Sequence, residues 1–280
     1  MSEKLGIIAG GGDIPKTLIT KCKELKRDYF VVAIEGNADK DLIDETIPHI
    51  WLRIGQAGTG FKKLAEEKVK EIVMIGTIRR PSFKDLVPDL RTTAFFAKLG
   101  IKSIGDDGLL RALVKELEGE GLVVRGIQDV MPEILIKKGV LGKVKPSKQA
   151  KADIERAVEI ATELGRLDVG QAVIVQEGLV LGVEGIEGTG ELIHRCGTYR
   201  RKGEGGVLVK IRKPQQDMRI DLPTIGDKTI LAAKEAGLSG IALHAHNGLI
   251  ANEAETIKLA DKYGLFVMGI DPADYGMKQA

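Results

Sequence analysis

Residues 213–226, KPQQDMRIDLPTIG, carry the densest set of groups able to do chemistry. Two carboxylates (Asp217, Asp221), two cations (Lys213, Arg219), two amides (Gln215, Gln216) and the hydroxyl of Thr224 fall within fourteen positions. Pro214 and Pro223 bracket them. Each proline fixes its own φ and disfavours helix in the residue before it, so the stretch is expected to be extended or looped. An apolar run at 206–211 (GVLVKI) reads as the strand before it, and an amphipathic helix begins near Asp227. Carboxylates for a hard cation and basic groups for phosphate oxygens suit metal-assisted phosphoryl hydrolysis. The same composition also suits a solvated loop with surface ion pairs.

Three other places add candidates. Gly10, Gly11 and Gly12 follow an apolar strand and precede a helix, where free N–H groups can meet a phosphate. GGGDIP is not GxGxxG, and no Walker lysine follows, so neither a dinucleotide nor ATP is implied. Arg79 and Arg80 lie beyond the strand that ends at Gly76, at the edge where open α/β sheets bind ligands. Glu184 and Glu187 sit beside Gly188, Thr189 and Gly190, a setting that suits magnesium or a solvated turn. Asp106 and Asp107 read as first-turn acids of a helix. His244 and His246 alternate on a strand without nearby partners, and Cys22 and Cys196 are far apart, so neither pair has zinc or disulfide spacing. No GxSxG and no Ser-His-Asp or Cys-His order is present.

The elements that must position these groups follow an α/β pattern. Strands are expected at 5–9, 30–34, 50–54 and 71–76, with helices at 16–25, 61–70 and 109–118 and a further strand at 122–124. This predicts a Rossmann-like N-terminal domain with a parallel sheet over residues 1–135. Residues 136–150, rich in Lys and Gly, read as a linker. A C-terminal α/β (α+β) domain over 151–280 is expected to hold a helix at 151–164, a hairpin at 171–184, helices at 229–236 and 255–263, and strands at 241–243 and 265–270. The chain has 280 residues, a net charge of +2, 43% hydrophobic and 29% charged residues. That is a globular balance with no basic, aromatic-laced block for nucleic acid and no transmembrane segment. The N-terminus shows no signal peptide, and the sparse cysteines fit a cytoplasmic location. From the residues alone a phosphate-ester or pyrophosphate enzyme and a non-catalytic nucleotide-sugar-binding regulator both remain open.

Seven segments carry a resemblance: 5–15 (LGIIAGGGDIP), 76–89 (GTIRRPSFKDLVPD), 105–111 (GDDGLLR), 164–189 (LGRLDVGQAVIVQEGLVLGVEGIEGT), 213–226, 236–242 (AGLSGIA) and 264–271 (GLFVMGID). In this order the chain resembles the LpxI family, the UDP-2,3-diacylglucosamine pyrophosphatases of lipid A biosynthesis. The resemblance implies two domains with substrate between them, magnesium (Mg2+) as cofactor, and hydrolysis to UMP and 2,3-diacylglucosamine 1-phosphate (lipid X) by attack at the sugar-side phosphorus. It implies Asp221, in DLPTIG, as the residue tied to catalysis and metal. Asp217 is a second catalytic candidate and Glu187 a second metal candidate. The expected substrate contacts are Gly10, Gly11, Gly12, Arg80, Asp168, Gln171, Gly188, Thr189, Lys213, Arg219 and Thr224. An apolar cleft for the acyl chains is expected to be lined by Ile14, Leu18 and the hairpin. A homodimer, peripheral on the cytoplasmic face of the inner membrane, is the family expectation. Gly190 stands where the family often has aspartate, and residues 244–247 depart from its small and acidic pattern.

Overall fold

The computed structural model describes residues 3–79, 87–99 and 106–276. It divides into two compact units: Met1–Pro132 with Asp217–Asp221, and Glu133–Gln216 with Leu222–Ala280. The segment of the motif-rich stretch that holds Asp217 and Asp221 therefore groups with the first unit, although the chain on either side of it belongs to the second.

In the first unit β1 (Leu5–Ala9), β2 (Tyr29–Ile34), β3 (His49–Leu52), β4 (Glu71–Ile75) and β5 (Val123–Arg125) form one sheet in the order β3-β2-β1-β4-β5. All four pairings are parallel. Strands such as YFVVAI are continuous apolar runs because both faces of a parallel sheet are covered. The helices are α1 (Asp13–Glu24), α2 (Ala57–Glu66), α3 (Leu90–Leu99) and α4 (Asp106–Gly119). Phe30, Val32, Ile72 and Met74 pack with Leu64 of α2 and Val114 and Leu117 of α4.

α1 starts three residues before its expected position, with Pro15 in the first turn, where a missing N–H costs no helix bond. Helix α2 lies about a turn earlier than expected, because Lys68 takes a left-handed φ of 55° and turns the chain into β4. α3 escapes the sequence reading; of its residues, LRTTAFFAKL, only Thr92 is buried. α4 opens at Asp106, so both aspartates fall in its first turn. Ile14 and Leu18 are not free to line an acyl cleft: they are 6% and 0% exposed, on the face of α1 that packs into the core.

The second unit holds β6 (Gly139–Leu141), α5 (Lys148–Arg166), β7 (Ala172–Gln176), β8 (Leu179–Val183), α6 (Gly188–Gly197), β9 (Val207–Lys210), β10 (Thr224–Ile225), α7 (Asp227–Glu235), β11 (Gly240–His244), β12 (Leu249–Ile250), α8 (Glu253–Tyr263) and β13 (Phe266–Ile270). Its main sheet runs β6-β13-β11-β9-β7-β8; β9, β11 and β13 are parallel, and the flanking strands are antiparallel. β10 and β12 make a separate two-stranded sheet.

Alternate side chains of the central strands serve two cores. Ile174, Leu208, Ile241 and Val267 pack with α6, α7 and α8, and Val173, Val207, Val209, Ala242 and Phe266 pack with α5. Helix α5 is capped by Ser147, whose hydroxyl accepts the N–H of Ala150, and begins three residues before the expected start. The hairpin turns at Glu177 and Gly178, with φ of 51° and 77°, as a two-residue loop with both φ positive requires.

Two expectations are revised here. Residues 136–150 contain β6, paired with β13, and Ile136 is fully buried, so this Lys- and Gly-rich segment is built into the second sheet rather than running free. The glycines at 188–190 open helix α6 rather than forming a loop.

Candidate active site

The carboxyl edge of the first sheet is closed by backbone. Gly10 N–H donates to the carbonyl of Ile75, and Gly11 exchanges two 2.9 Å hydrogen bonds with Thr77. Gly12 N–H donates to the Asp39 carboxylate at 3.2 Å. The expected unblocked phosphate cradle is thus engaged within the protein. A side chain at Gly10 would place its Cβ 2.6 Å from the Thr77 carbonyl oxygen, so close backbone packing accounts for that glycine. Arg79 N–H donates to the side-chain oxygen of Asn37 at 2.7 Å. Arg80 lies outside the described residues.

Residues 217–221 form a tight turn. The N–H groups of Ile220 and Asp221 donate to the carbonyl of Asp217. The Asp217 carboxylate accepts from the backbone N–H, Nε and Nη2 of Arg219. Hydrogen bonding from Arg219 holds this carboxyl below the usual aspartate range, against the opposing effect of burial. Arg219 also pairs with Glu118 at 2.8 Å, and its pKa is raised by both acids. Arg219 and Asp217, expected to hold phosphate and to do chemistry, are therefore engaged with each other. Asp221 is half-buried at the end of the turn and makes a contact of its own.

The second sheet ends differently. The parallel strands β9 and β11 run out into Lys210, Ile211, Arg212, Lys213 and His244. Antiparallel β7 begins, and β8 ends, at the same edge, because Ala172 lies opposite Lys210 and Val173 opposite Val183. That register brings Asp168, Gln171 and Glu184 to the edge where α/β sheets bind ligands. Lys213, 9% exposed, donates to Asp168 at 2.7 Å. Asp168 adopts φ 54°, a left-handed conformation that Asp tolerates better than most residues. Gln215 donates to the Gly165 carbonyl at 2.7 Å and Gln216 accepts the Lys213 N–H, which fastens the 212–216 turn to the end of α5.

Glu184 joins two further positions. It accepts the N–H of Gln171 at 3.3 Å and the hydroxyl of Thr189 at 2.5 Å. The Gln171 side-chain oxygen is buried and has no hydrogen-bond partner. Gly188 takes φ 79° at the start of α6. Thr224 serves through its carbonyl, which accepts from Lys210 Nζ at 3.0 Å, and its hydroxyl turns back to Leu222. His244, 3% exposed, accepts the Arg212 N–H at Nδ1. Burial first, and then the Arg212 charge, lower its pKa to about 4, so the ring is neutral and its Nε2 faces Asn247.

Glu187 does not fit a metal site as placed. Its carboxylate accepts Nε and Nη2 of Arg195 and the Gly185 N–H, and Arg195 holds its pKa below the usual range. Among the described residues no three His, Cys, Asp or Glu side chains gather as a ligand set. A magnesium ion commonly takes one or two carboxylates and completes its shell with substrate phosphates and water, a role a single carboxylate at Asp221 fits. Lys210 and Arg212 carry no role in the sequence reading, His244 is read only as lacking zinc spacing, and Glu184, read as a magnesium or turn carboxylate, instead accepts from Gln171 and Thr189; the IRK triplet directly after an apolar strand is the signal that points to Arg212.

Comparison with known proteins gives two family matches in tandem. The LpxI N-terminal domain matches residues 4–134 and the LpxI C-terminal domain residues 137–268. The UDP-2,3-diacylglucosamine pyrophosphatase LpxI of Caulobacter vibrioides is 40% identical over 279 residues, covering 97% of this chain and 99% of that relative. Among solved structures, the Thermus thermophilus UDP-glucose 4-epimerase in complex with NAD aligns over 99% of this chain and 94% of its own at 10% identity, with a TM-score of 0.34. That score carries no argument about function. By its two domain matches and its near full-length relative, the chain belongs to the LpxI family.

Proposed function

We propose that the protein hydrolyses the pyrophosphate bond of UDP-2,3-diacylglucosamine, releasing UMP and 2,3-diacylglucosamine 1-phosphate. The observation that carries this reading is the near full-length identity with a pyrophosphatase of that name, in a chain that keeps Asp221 within DLPTIG. Hydrolysis joins a water oxygen to one phosphorus and breaks that phosphorus's bond to the bridging oxygen. On this reading the sugar-side phosphorus is attacked and UMP leaves with the bridging oxygen. Asp221 orients the water through a hydrogen bond to its carboxylate. Asp221 would hold a magnesium ion together with the substrate's own phosphates, and the ion would supply charge neutralisation at the diphosphate. Within the second unit, the neutral His244 holds the backbone at Arg212.

The acyl chains need apolar surface, since each buried methylene is worth about 0.8 kcal/mol. Leu167, Val169 and Ile186 are exposed on the loops that lead into β7 and out of β8, and they offer it. No helix among the described residues is long and apolar enough to cross a membrane. A peripheral position at the inner membrane and a homodimer complete the reading, both resting on the family resemblance.

The test is UMP release by purified protein with and without EDTA. Release that stops with EDTA and returns with magnesium supports the reading. Binding of the nucleotide lipid without release would favour a UDP-sugar-binding protein instead. Hydrolysis in oxygen-18 water fixes the attacked phosphorus: label in the lipid phosphate supports sugar-side attack, and label in UMP refutes it.

A further inference from the structure

The charged groups at the carboxyl edge of the second sheet are matched one by one, with one exception. Lys213 is paired with Asp168, Lys210 donates to the Thr224 carbonyl, and Glu184 accepts from Gln171 and Thr189. Arg212 is half-buried, and among the described residues no carboxylate pairs with it. Its Nη1 donates to the Gln216 carbonyl at 3.0 Å, and its Nε is buried without a hydrogen-bond partner. Burial lowers its pKa, with no acid to oppose the effect.

A guanidinium removed from water without a counter-ion is unfavourable, and folds keep such groups mainly where function needs them. The residue is also held in place. Its own N–H donates to His244 Nδ1, and Gln216, which receives Nη1, is fixed by the Lys213 N–H. The side of the fork formed by Nε and Nη2 is thereby left without a protein acceptor among the described residues, and two parallel N–H groups match two oxygens of one phosphate.

We infer that Arg212 is the phosphate-gripping cation of the second unit, donating Nε and Nη2 to non-bridging oxygens of the substrate's diphosphate. This rests on the proposed pyrophosphatase function. Lys213 and Arg219, the cations of the motif itself, already have carboxylate partners; Arg212 lies one residue before the motif and has none. The fork explains why this position carries arginine: a lysine would supply charge without two parallel donors.

The test uses the full-length protein and its Arg212→Met and Arg212→Lys variants. UMP release gives kcat/KM, and melting with and without inorganic pyrophosphate, in the absence of metal, gives ligand-induced stabilisation. Arg212→Met is expected to lower kcat/KM by about thirtyfold or more, the scale of one charge-assisted bidentate contact, and Arg212→Lys to recover part of it. The ligand-free melting temperature of Arg212→Met should not fall, because an unmatched, half-buried charge has been removed, and the rise caused by pyrophosphate should disappear. A kcat/KM within about threefold of the parent, or a lower melting temperature with the pyrophosphate response retained, overturns the assignment. Should the parent protein release no UMP, the pyrophosphatase reading fails, and the melting experiment still decides whether Arg212 binds the diphosphate group. An absent pyrophosphate response in the parent also overturns it.

Discussion

The two sheets of this protein end in different chemistry. At the carboxyl edge of the first, Gly10 and Gly11 lock β1 to β4 by backbone hydrogen bonds, and Gly12 meets the Asp39 carboxylate. At the same edge of the second, Lys210, Arg212, Lys213, Glu184, Asp168 and His244 are drawn together by side chains. The contrast teaches that a glycine turn at a helix start need not be an anion site: here its amides complete the fold. A lysine–carboxylate pair and a neutral histidine, by contrast, are what hold the other edge in shape.

The largest expected effect lies in Asp221, the carboxylate that the second half of the chain lends to the first unit. Asp221→Asn keeps shape and removes charge. Turnover should fall at least about a hundredfold with the melting temperature unchanged, as for a group acting in the transition state. Near-normal turnover would remove Asp221 from the mechanism and leave the chemistry to the second edge.

Next is the Lys213–Asp168 pair. Breaking a buried pair is costly because one charge stays behind, and partial exposure of Asp168 reduces the effect to about 2 kcal/mol for Lys213→Met. Urea unfolding measures it, and Lys213→Met combined with Asp168→Asn, which tolerates the left-handed backbone, should recover part of the loss. No loss in the single variant would mean that the second edge is not held by this pair.

His244 sharpens the contrast through pH. Its folded pKa, about 4, lies below the ordinary value of 6.5, so the unfolded chain takes up the proton first. Stability from this group is therefore complete above pH 6.5 and declines as pH falls toward 4. Between pH 8 and pH 5.5 the loss is about 1.4 kcal/mol. Denaturant titrations at the two pH values should show that this increment is missing in His244→Gln.

The smallest effect belongs to Gly12. Its φ of 95° with ψ 177° is a conformation nearly reserved for glycine, but an added Cβ would meet nothing within 4 Å, so Gly12→Ala carries only backbone strain, about 1 kcal/mol, the lower end for such a conformation. A much larger loss of stability would show that the first edge depends on this glycine as it does on Gly10.

The amino-acid sequence by itself determined the alternation of strands and helices, because apolar runs and 3.6-residue stripes are local. FVVAI, the QAVIVQ-EG-LVLGVE hairpin and α5 lie close to where their patterns put them. It also determined the family, through motifs that span nearly the whole chain. It did not reveal α3, which buries only Thr92, or β6, whose three residues form a strand only because β13 offers an edge. Nor could it tell which cation of the motif is already neutralised. Lys213 and Arg219 look like phosphate ligands in one dimension, and the turn at 217–221 and the left-handed Asp168 close carboxylates onto them. Arg212 is left without one for the same reason. Charge pairing depends on groups 45 positions apart in the chain, as for Lys213 and Asp168, and only the folded sheet edge brings them within hydrogen-bonding distance.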